Sequence, residues 1–204
     1  MAMISTQVYN PIWAREMVSP ANELRRKSVH LIGLIVPLLY HVAGKFATLV
    51  FVAVWTILFI IGEIYRLKQG MPRWVEKRAA PMMRGRERKG VGGHVYFSLG
   101  LFTAVLFYDK EIVTAVALIT VLADGAAAIV GAHVGKHRLL GKKTLEGTLT
   151  LIAVAFMVSV WVVGGALAFT GGVVAGVVEL LPINDNFSIP FFSGLAMTAM
   201  RYFL

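Results

Sequence analysis

Seven apolar runs, at about 29–43, 46–65, 94–108, 112–134, 148–169, 173–181 and 189–204, take up most of this chain. With 57% hydrophobic and 15% charged residues over 204 positions, the chain has too few polar side chains to cover a soluble domain of its size. In a bilayer every backbone polar group must be satisfied internally, which favours helices. The expectation is therefore an all-α fold: a polytopic integral membrane bundle of six or seven transmembrane helices. A straight crossing takes about 20 residues, so the first and third runs must borrow flanking residues, and the sixth is a half-span or is packed within protein. No polar stretch is long enough for a soluble domain, so residues 1–204 are expected to form one membrane-embedded unit. The N-terminal stretch lacks the basic, apolar and small-residue order of a cleaved signal, and the first apolar run is expected to remain. There is no cysteine, which excludes thiol catalysis and thiolate metal sites.

The net charge is +9, and its placement argues against nucleic acid. Nine Lys or Arg lie between Arg66 and Lys89 against Glu76 and Glu87, between two apolar runs and without an RNA-binding aromatic motif. Cations beside membrane spans mark the cytoplasmic side, where they meet anionic headgroups. Arg15, Arg25, Arg26 and Lys27 precede the first run, and Lys136, Arg138, Lys142 and Lys143 follow the fourth; the other connections carry chiefly Lys45 and Lys110. This bias predicts that the N-terminus, a basic loop at about 66–93 and the loop at 135–147 face the cytoplasm, where three polar clusters would converge.

Asp124 falls inside the fourth run, where a carboxylate costs about 2.5 kcal/mol or more on insertion scales and so needs a partner and a task. Ala128, Gly131 and Gly135 follow at helical spacing and let another helix or a ligand approach the backbone. The alternative is a packing stripe whose acid pairs with a buried Lys or Arg.

The loop "GKHRLLGKKTLEGT" sets four cations among glycines. Ammonium and guanidinium groups neutralise phosphate oxygens, and glycine lets backbone N–H groups come near. Thr144 and Thr148 are candidate N-caps that would turn a helix's positive end toward the same anion. A Walker A loop is excluded, because "GAHVGKH" has three residues, not four, before its "GK" and no strand precedes it. The alternative role is headgroup contact that fixes topology. Upstream, "NELRRKSVHL" places Glu23, Arg26 or Lys27, and His30 on one face at the membrane entry. No His pair has zinc spacing, so a metal would be an oxygen-ligated ion such as Mg²⁺. "PINDNFSIP" reads as a turn, or as Asp185, Asn186 and Glu179 holding a metal or nucleotide.

Taken in order, "ELRRKSVH", "ADGAAAIVGAHVGKHRLLGKKTLEGT" and "PINDNFSIP" resemble the CTP-dependent lipid-alcohol kinases, the family of dolichol kinase, phytol kinase and CTP-dependent diacylglycerol kinase, over about residues 23–194. "KKTLEGT" looks most like the dolichol kinase branch. The resemblance implies transfer of the CTP γ-phosphate, with Mg²⁺, to the hydroxyl of a membrane polyprenol or dolichol-type alcohol, giving polyprenyl phosphate and CDP. It implies Asp124, Lys143 and Glu146 as catalytic residues, and Asp124 and Asp185 as metal ligands. Gly131, Gly135, Lys136, Lys142, Lys143, Thr144, Arg26, Lys27 and Asn186 would form the nucleotide site. CTP, the lipid alcohol, anionic headgroups and a second copy in a homodimer are the partners to expect. CDP-diacylglycerol synthase shares an acid, spaced glycines and a similar basic segment, but its later "PGHGG" hallmark is replaced here by "PINDNFSIP". A small transporter would also keep a mid-depth acid, yet leaves the basic loop unexplained.

Overall fold

The computed structural model describes residues 20–83 and 85–204, so Arg15 and Arg84 of the basic segments lie outside the described residues. Every regular element among those described is helical. The order is α1 (Pro20–His30), a short 3₁₀ turn, α2 (Ile35–Gln69), α3 (Arg73–Ala79), α4 (Gly85–Lys89), α5 (Gly93–Phe107), α6 (Lys110–Leu118), a π turn (Ile119–Ala123), α7 (Asp124–Val134), α8 (Leu145–Val163), α9 (Gly165–Glu179) and α10 (Asp185–Arg201). The polar segment between the second and third apolar runs is thus not an open loop, since it holds the short helices α3 and α4.

Three helical stretches are long and apolar enough to cross a membrane: Ala21–Gln69, Lys110–Val134 and Leu145–Val163. Gly93–Phe107 and Gly165–Glu179 are shorter apolar helices. The middle stretch is the axis of the molecule, for 67% of its most apolar window is buried against 22% and 28% for the other two. Ile112, Val113 and Val116 of α6 are fully buried, packed in one core with Leu101 of α5, Leu151 of α8 and Ile189 and Met197 of α10. The outer surface of α2 is apolar as well, with Val42, Phe46, Ile57, Leu58 and Ile61 exposed. Continuous apolar exposure of this kind suits lipid contact rather than water.

The first stretch does not run straight. Gly44 sits at φ 80°, ψ 176° and divides α2 into 35–43 and 45–69. On its N-terminal side, His30 stacks on Phe97. On its far side, Phe59 packs on His94 and Glu63 accepts a hydrogen bond from the Gly92 N–H at 2.5 Å. Both arms therefore reach the same end of α5, and the chain folds back at Gly44. The first and second apolar runs are two arms, as their separation in sequence suggests.

Gly164 makes the same turn, at φ 82°, ψ 166°, between α8 and α9. Its placement corrects a boundary: the fifth and sixth runs are divided in the sequence at 170–172, where Gly171 and Gly172 stand. Those two glycines instead lie inside α9, where a side chain on Gly172 would stand 3.1 Å from the Ile152 carbonyl oxygen. They permit close helix packing, and the reversal falls where positive φ is found. The last helix begins four residues before the expected run, capped by the Asn184 side chain, which accepts from the Asn186 N–H at 3.2 Å. Pro190 inside α10 removes one helical donor, and α5 approaches there through Gly100, with space for no side chain against the Asn186 carbonyl.

Several hydroxyls buried in this apolar frame are satisfied by their own helix, while those of Thr56, Ser188 and Ser193 have no partner among the described residues. Thr48, Thr120 and Ser159 each donate to the carbonyl four residues earlier, at 2.8, 2.7 and 2.6 Å.

The backbone at Gly164 is one that residues with a side chain rarely adopt. Gly164→Ala is expected to lower stability by about 1–3 kcal/mol. Gly165→Ala, a helical position with open space around it, should be neutral or slightly stabilising. Thermal unfolding of both variants in one detergent checks the contrast.

Candidate functional site

The end of the bundle reached by His30, Glu63 and Gly92 also gathers the polar motifs. A cleft of about 690 Å³ opens there, walled by α7, by the loop leading into α8, and by the ends of α9 and α10. Gly131 of α7 and Gly135, just past its end, line it and abut Thr144, whose Oγ1 would lie 3.1 Å from a side chain on Gly131. The glycine stripe is thus where the loop packs onto α7, as well as part of the cleft wall.

The basic loop is a tight hairpin rather than a floppy segment. The N–H of Leu139 donates to the Lys143 carbonyl at 2.9 Å, and that of Leu145 to the His137 carbonyl at 2.8 Å. Gly141 turns the tip at φ 59°, a left-handed conformation suited to glycine. Thr144 caps α8 by accepting from the Gly147 N–H at 3.2 Å, as the sequence suggests; Thr148 lies inside the helix and donates to Glu179 Oε2 at 3.1 Å. These bonds aim the N-terminus of a 19-residue helix at the cleft floor.

Lys143 reaches across the cleft. Its Nζ lies 2.8 Å from Glu179 Oε1 and 2.7 Å from Asp185 Oδ2, so it joins α9 to α10. Burial pulls the pKa of this ammonium down, but Asp185, Glu179 and Asp124 outweigh it and hold the value above the ordinary lysine range. Lys143 is therefore charged at any physiological pH. Asp124, almost fully buried, is paired with Lys27 of α1 through its Oδ2. It sits just after the π turn of 119–123, a distortion often found at functional positions.

The structure brings Asp124, Gly131, Gly135, Lys142, Lys143, Thr144 and Asp185 to one cleft, with Lys27 behind Asp124. Other residues named from the sequence stand elsewhere. Glu146 does not line the cleft; it accepts from the His137 ring at 2.8 Å and fastens the base of the hairpin. Lys136 is exposed beside it, outside the lining. Asn186 donates to the Gly93 carbonyl at 3.0 Å and ties α10 to α5. Arg26 bonds Glu23 at 2.6 Å and lines a second cleft on the far face of α1. Glu179, a secondary candidate in the sequence, proves central because it meets both Lys143 and Thr148.

Among the described residues, no group of three or more His, Asp or Glu side chains is arranged to hold a metal ion by itself. The oxygen donors at the cleft suit an ion that brings its own phosphate and water ligands and takes one or two carboxylates from the protein, as Mg²⁺ does.

The Lys27–Asp124 pair is expected to behave as a buried ion pair. Lys27→Met alone should destabilise by about 3–5 kcal/mol, because it strands a carboxylate, whereas Lys27→Met with Asp124→Leu should recover most of that loss. Additive losses in a double-mutant unfolding cycle would show that the two groups act independently.

Comparison with known proteins gives distant similarity. The chain is 27% identical over 197 residues, 89% of its own length and 96% of the other, to an uncharacterised protein of Rickettsia prowazekii (strain Madrid E). It is 34% identical over 128 residues to a phytol kinase of Synechocystis sp., a match that covers 55% of this chain and only 50% of that kinase. No family model and no solved structure matches. The chain is thus partially and distantly similar to a kinase whose name specifies a lipid alcohol.

Proposed function

We propose that this protein is a CTP-dependent kinase that transfers the γ-phosphate of CTP to the hydroxyl of an isoprenoid lipid alcohol of the polyprenol, dolichol or phytol type. The observation that carries the proposal is Lys143, a charged ammonium set among Asp124, Glu179 and Asp185 in a cleft at one end of an apolar bundle. A triphosphate needs cations to neutralise it, and phosphoryl transfer asks the protein mainly for position and charge. The partial similarity to a phytol kinase supports a lipid-alcohol acceptor.

In this reading Lys142 and Lys143 hold phosphate oxygens, helped by the N-terminus of α8. The acceptor hydroxyl attacks the γ-phosphorus, the bond from that phosphorus to the β-bridging oxygen breaks, and CDP leaves. The hydroxyl proton passes to Asp124 and then to solvent. Mg²⁺, when bound with the nucleotide, would neutralise phosphate charge, and Asp185 would hold it, with Asp124 either its second ligand or the proton acceptor, not both. Lys27 holds Asp124 in place. The cleft faces the cytoplasm, where CTP is found, in keeping with the positive-inside distribution.

Two measurements test the proposal. With CTP labelled separately at the α and γ positions, only the γ label is expected in the lipid phase, with CDP released. Lipid bearing the α label, with pyrophosphate, would make the protein a cytidylyltransferase. Asp124→Asn should lower transfer by about 100-fold or more and also cost stability, because it strands Lys27; adding Lys27→Met should recover the stability but not the transfer, and Lys143→Ala should raise KM for CTP. For orientation, single cysteines at positions 78 and 142 should react with an impermeant reagent from the cytoplasmic side, and cysteine at 110 from the other. Reaction of 78 and 110 from one side would overturn the orientation.

A further inference from the structure

A second cleft, of about 350 Å³, lies on the other face of α1. It is bounded by Arg26 and His30 of α1, by Glu63 of α2, and by Val75, Met82 and Met83 of the segment that follows α2. α1 is the partition: Glu23 lines the first cleft, Arg26 and His30 line the second, and Lys27 between them touches Asp124.

Two atoms in this partition lack partners. Arg26 and His30 are 8% and 6% exposed, yet Arg26 Nε and His30 Nε2 have no hydrogen-bond partner among the described residues. Their chemistry differs. Arg26 Nε carries a hydrogen and can only donate. His30 Nδ1 lies 2.8 Å from the Arg26 carbonyl oxygen, which can only accept, so Nδ1 holds the ring hydrogen and Nε2 of the neutral ring presents a lone pair. The two residues are four apart on one helix and share a face. One face of α1 thus presents a donor and an acceptor to the cleft, with the Glu87 carboxylate 3.7 Å from Arg26 Nη1 as a further acceptor, and a hydroxyl, which accepts and donates at one oxygen, suits such a pair. A carboxylate or a phosphate dianion has only lone pairs and leaves Nε2 facing an anion.

The remaining walls suit a hydrocarbon chain. Val75, Met82 and Met83 form one side, and methionine adapts to irregular apolar shapes. Glu63 is already occupied by Arg66, at 2.8 Å through both oxygens, and by the Gly92 N–H. Gly62 lines the cleft, is itself exposed next to the exposed Ile61, and a side chain there would meet nothing within 4 Å.

We infer that the second cleft is the binding site for a long-chain neutral alcohol, which enters from the bilayer past Gly62 and places its hydroxyl between Arg26 Nε and His30 Nε2. The inference rests on the kinase reading for the identity of this lipid as the phosphate acceptor. The alcohol is held there before transfer, within one helical turn of the Lys27–Asp124 pair, and its hydroxyl leaves Arg26 and His30 and passes around α1 to reach the nucleotide in the first cleft.

The test uses the full chain in lipid nanodiscs and a C20 isoprenoid alcohol bearing a diazirine, without nucleotide. Photolabel is expected on residues 71–83 and around His94, and the unlabelled C20 alcohol should compete while its monophosphate should not. Gly62→Leu, which has room to fold, and His30→Phe, which keeps a ring against Phe97 but removes the lone pair, should each cut labelling about 10-fold. With labelled CTP the same variants should raise KM for the alcohol about 10-fold and leave KM for CTP within about two-fold. Label confined to the first cleft or to the outer face of α2, or equal competition by the monophosphate, would overturn the inference. Transfer of the γ label with labelling outside the second cleft would overturn it while keeping the kinase. Labelling in the second cleft with no transfer from CTP would support the alcohol site and remove the kinase reading.

Discussion

The buried contact between Lys27 and Asp124 holds the architecture of this end of the molecule. Neither charge would survive alone in an apolar bundle, since each costs several kcal/mol to desolvate and the attraction between them offsets that only when both are present. The pair fixes where α1 docks on α7, and so fixes α1 as a wall with a cleft on either side. Lys143 repeats the arrangement one layer out, joining α9 and α10 through Glu179 and Asp185. Ion pairs thus connect helices whose apolar surfaces give little directional preference.

The carboxylates hold both lysines in place, so neither cation is stranded. In the proposed reaction a triphosphate that takes Lys143 from Glu179 and Asp185 must bring cations of its own, or those two carboxylates would be left unpaired. The cap at Thr144 and the hairpin bonds between 137 and 145 keep the loop in place meanwhile, at the cost of ordering only a few residues.

Much of this was legible in the sequence, for physical reasons. A carboxylate in an apolar run must have a partner, and Asp124 has one. Glycines at helical spacing allow close approach, and Gly131 and Gly135 lie against Thr144. The hairpin's cations and the Asp185 turn also meet at one cleft. What could not be read is equally specific. Glu146 follows the threonine of a basic motif and looks functional by position, yet its partner is His137, a choice settled by loop geometry. Gly171 and Gly172 look like a break, but φ and not composition decides where a chain reverses. The second cleft was only partly legible: Arg26 and His30 share a face in "NELRRKSVHL", but the walls come from α2 and the short helices after it, whose apolar residues look like any others in such a chain.

The π turn at 119–123 has a consequence for the long middle helix. One additional residue in a helix rotates everything beyond it by about 100°, the share of one residue in an α-helical turn. The rod Lys110–Val134 therefore has two phases. Its first half points Ile112, Val113 and Val116 into the core, and its second half turns Asp124 and Gly131 toward the cleft. An uninterrupted helix could not serve both directions with the same stripe of residues. The offset lets one apolar helix face the core along its first half and line the cleft along its second.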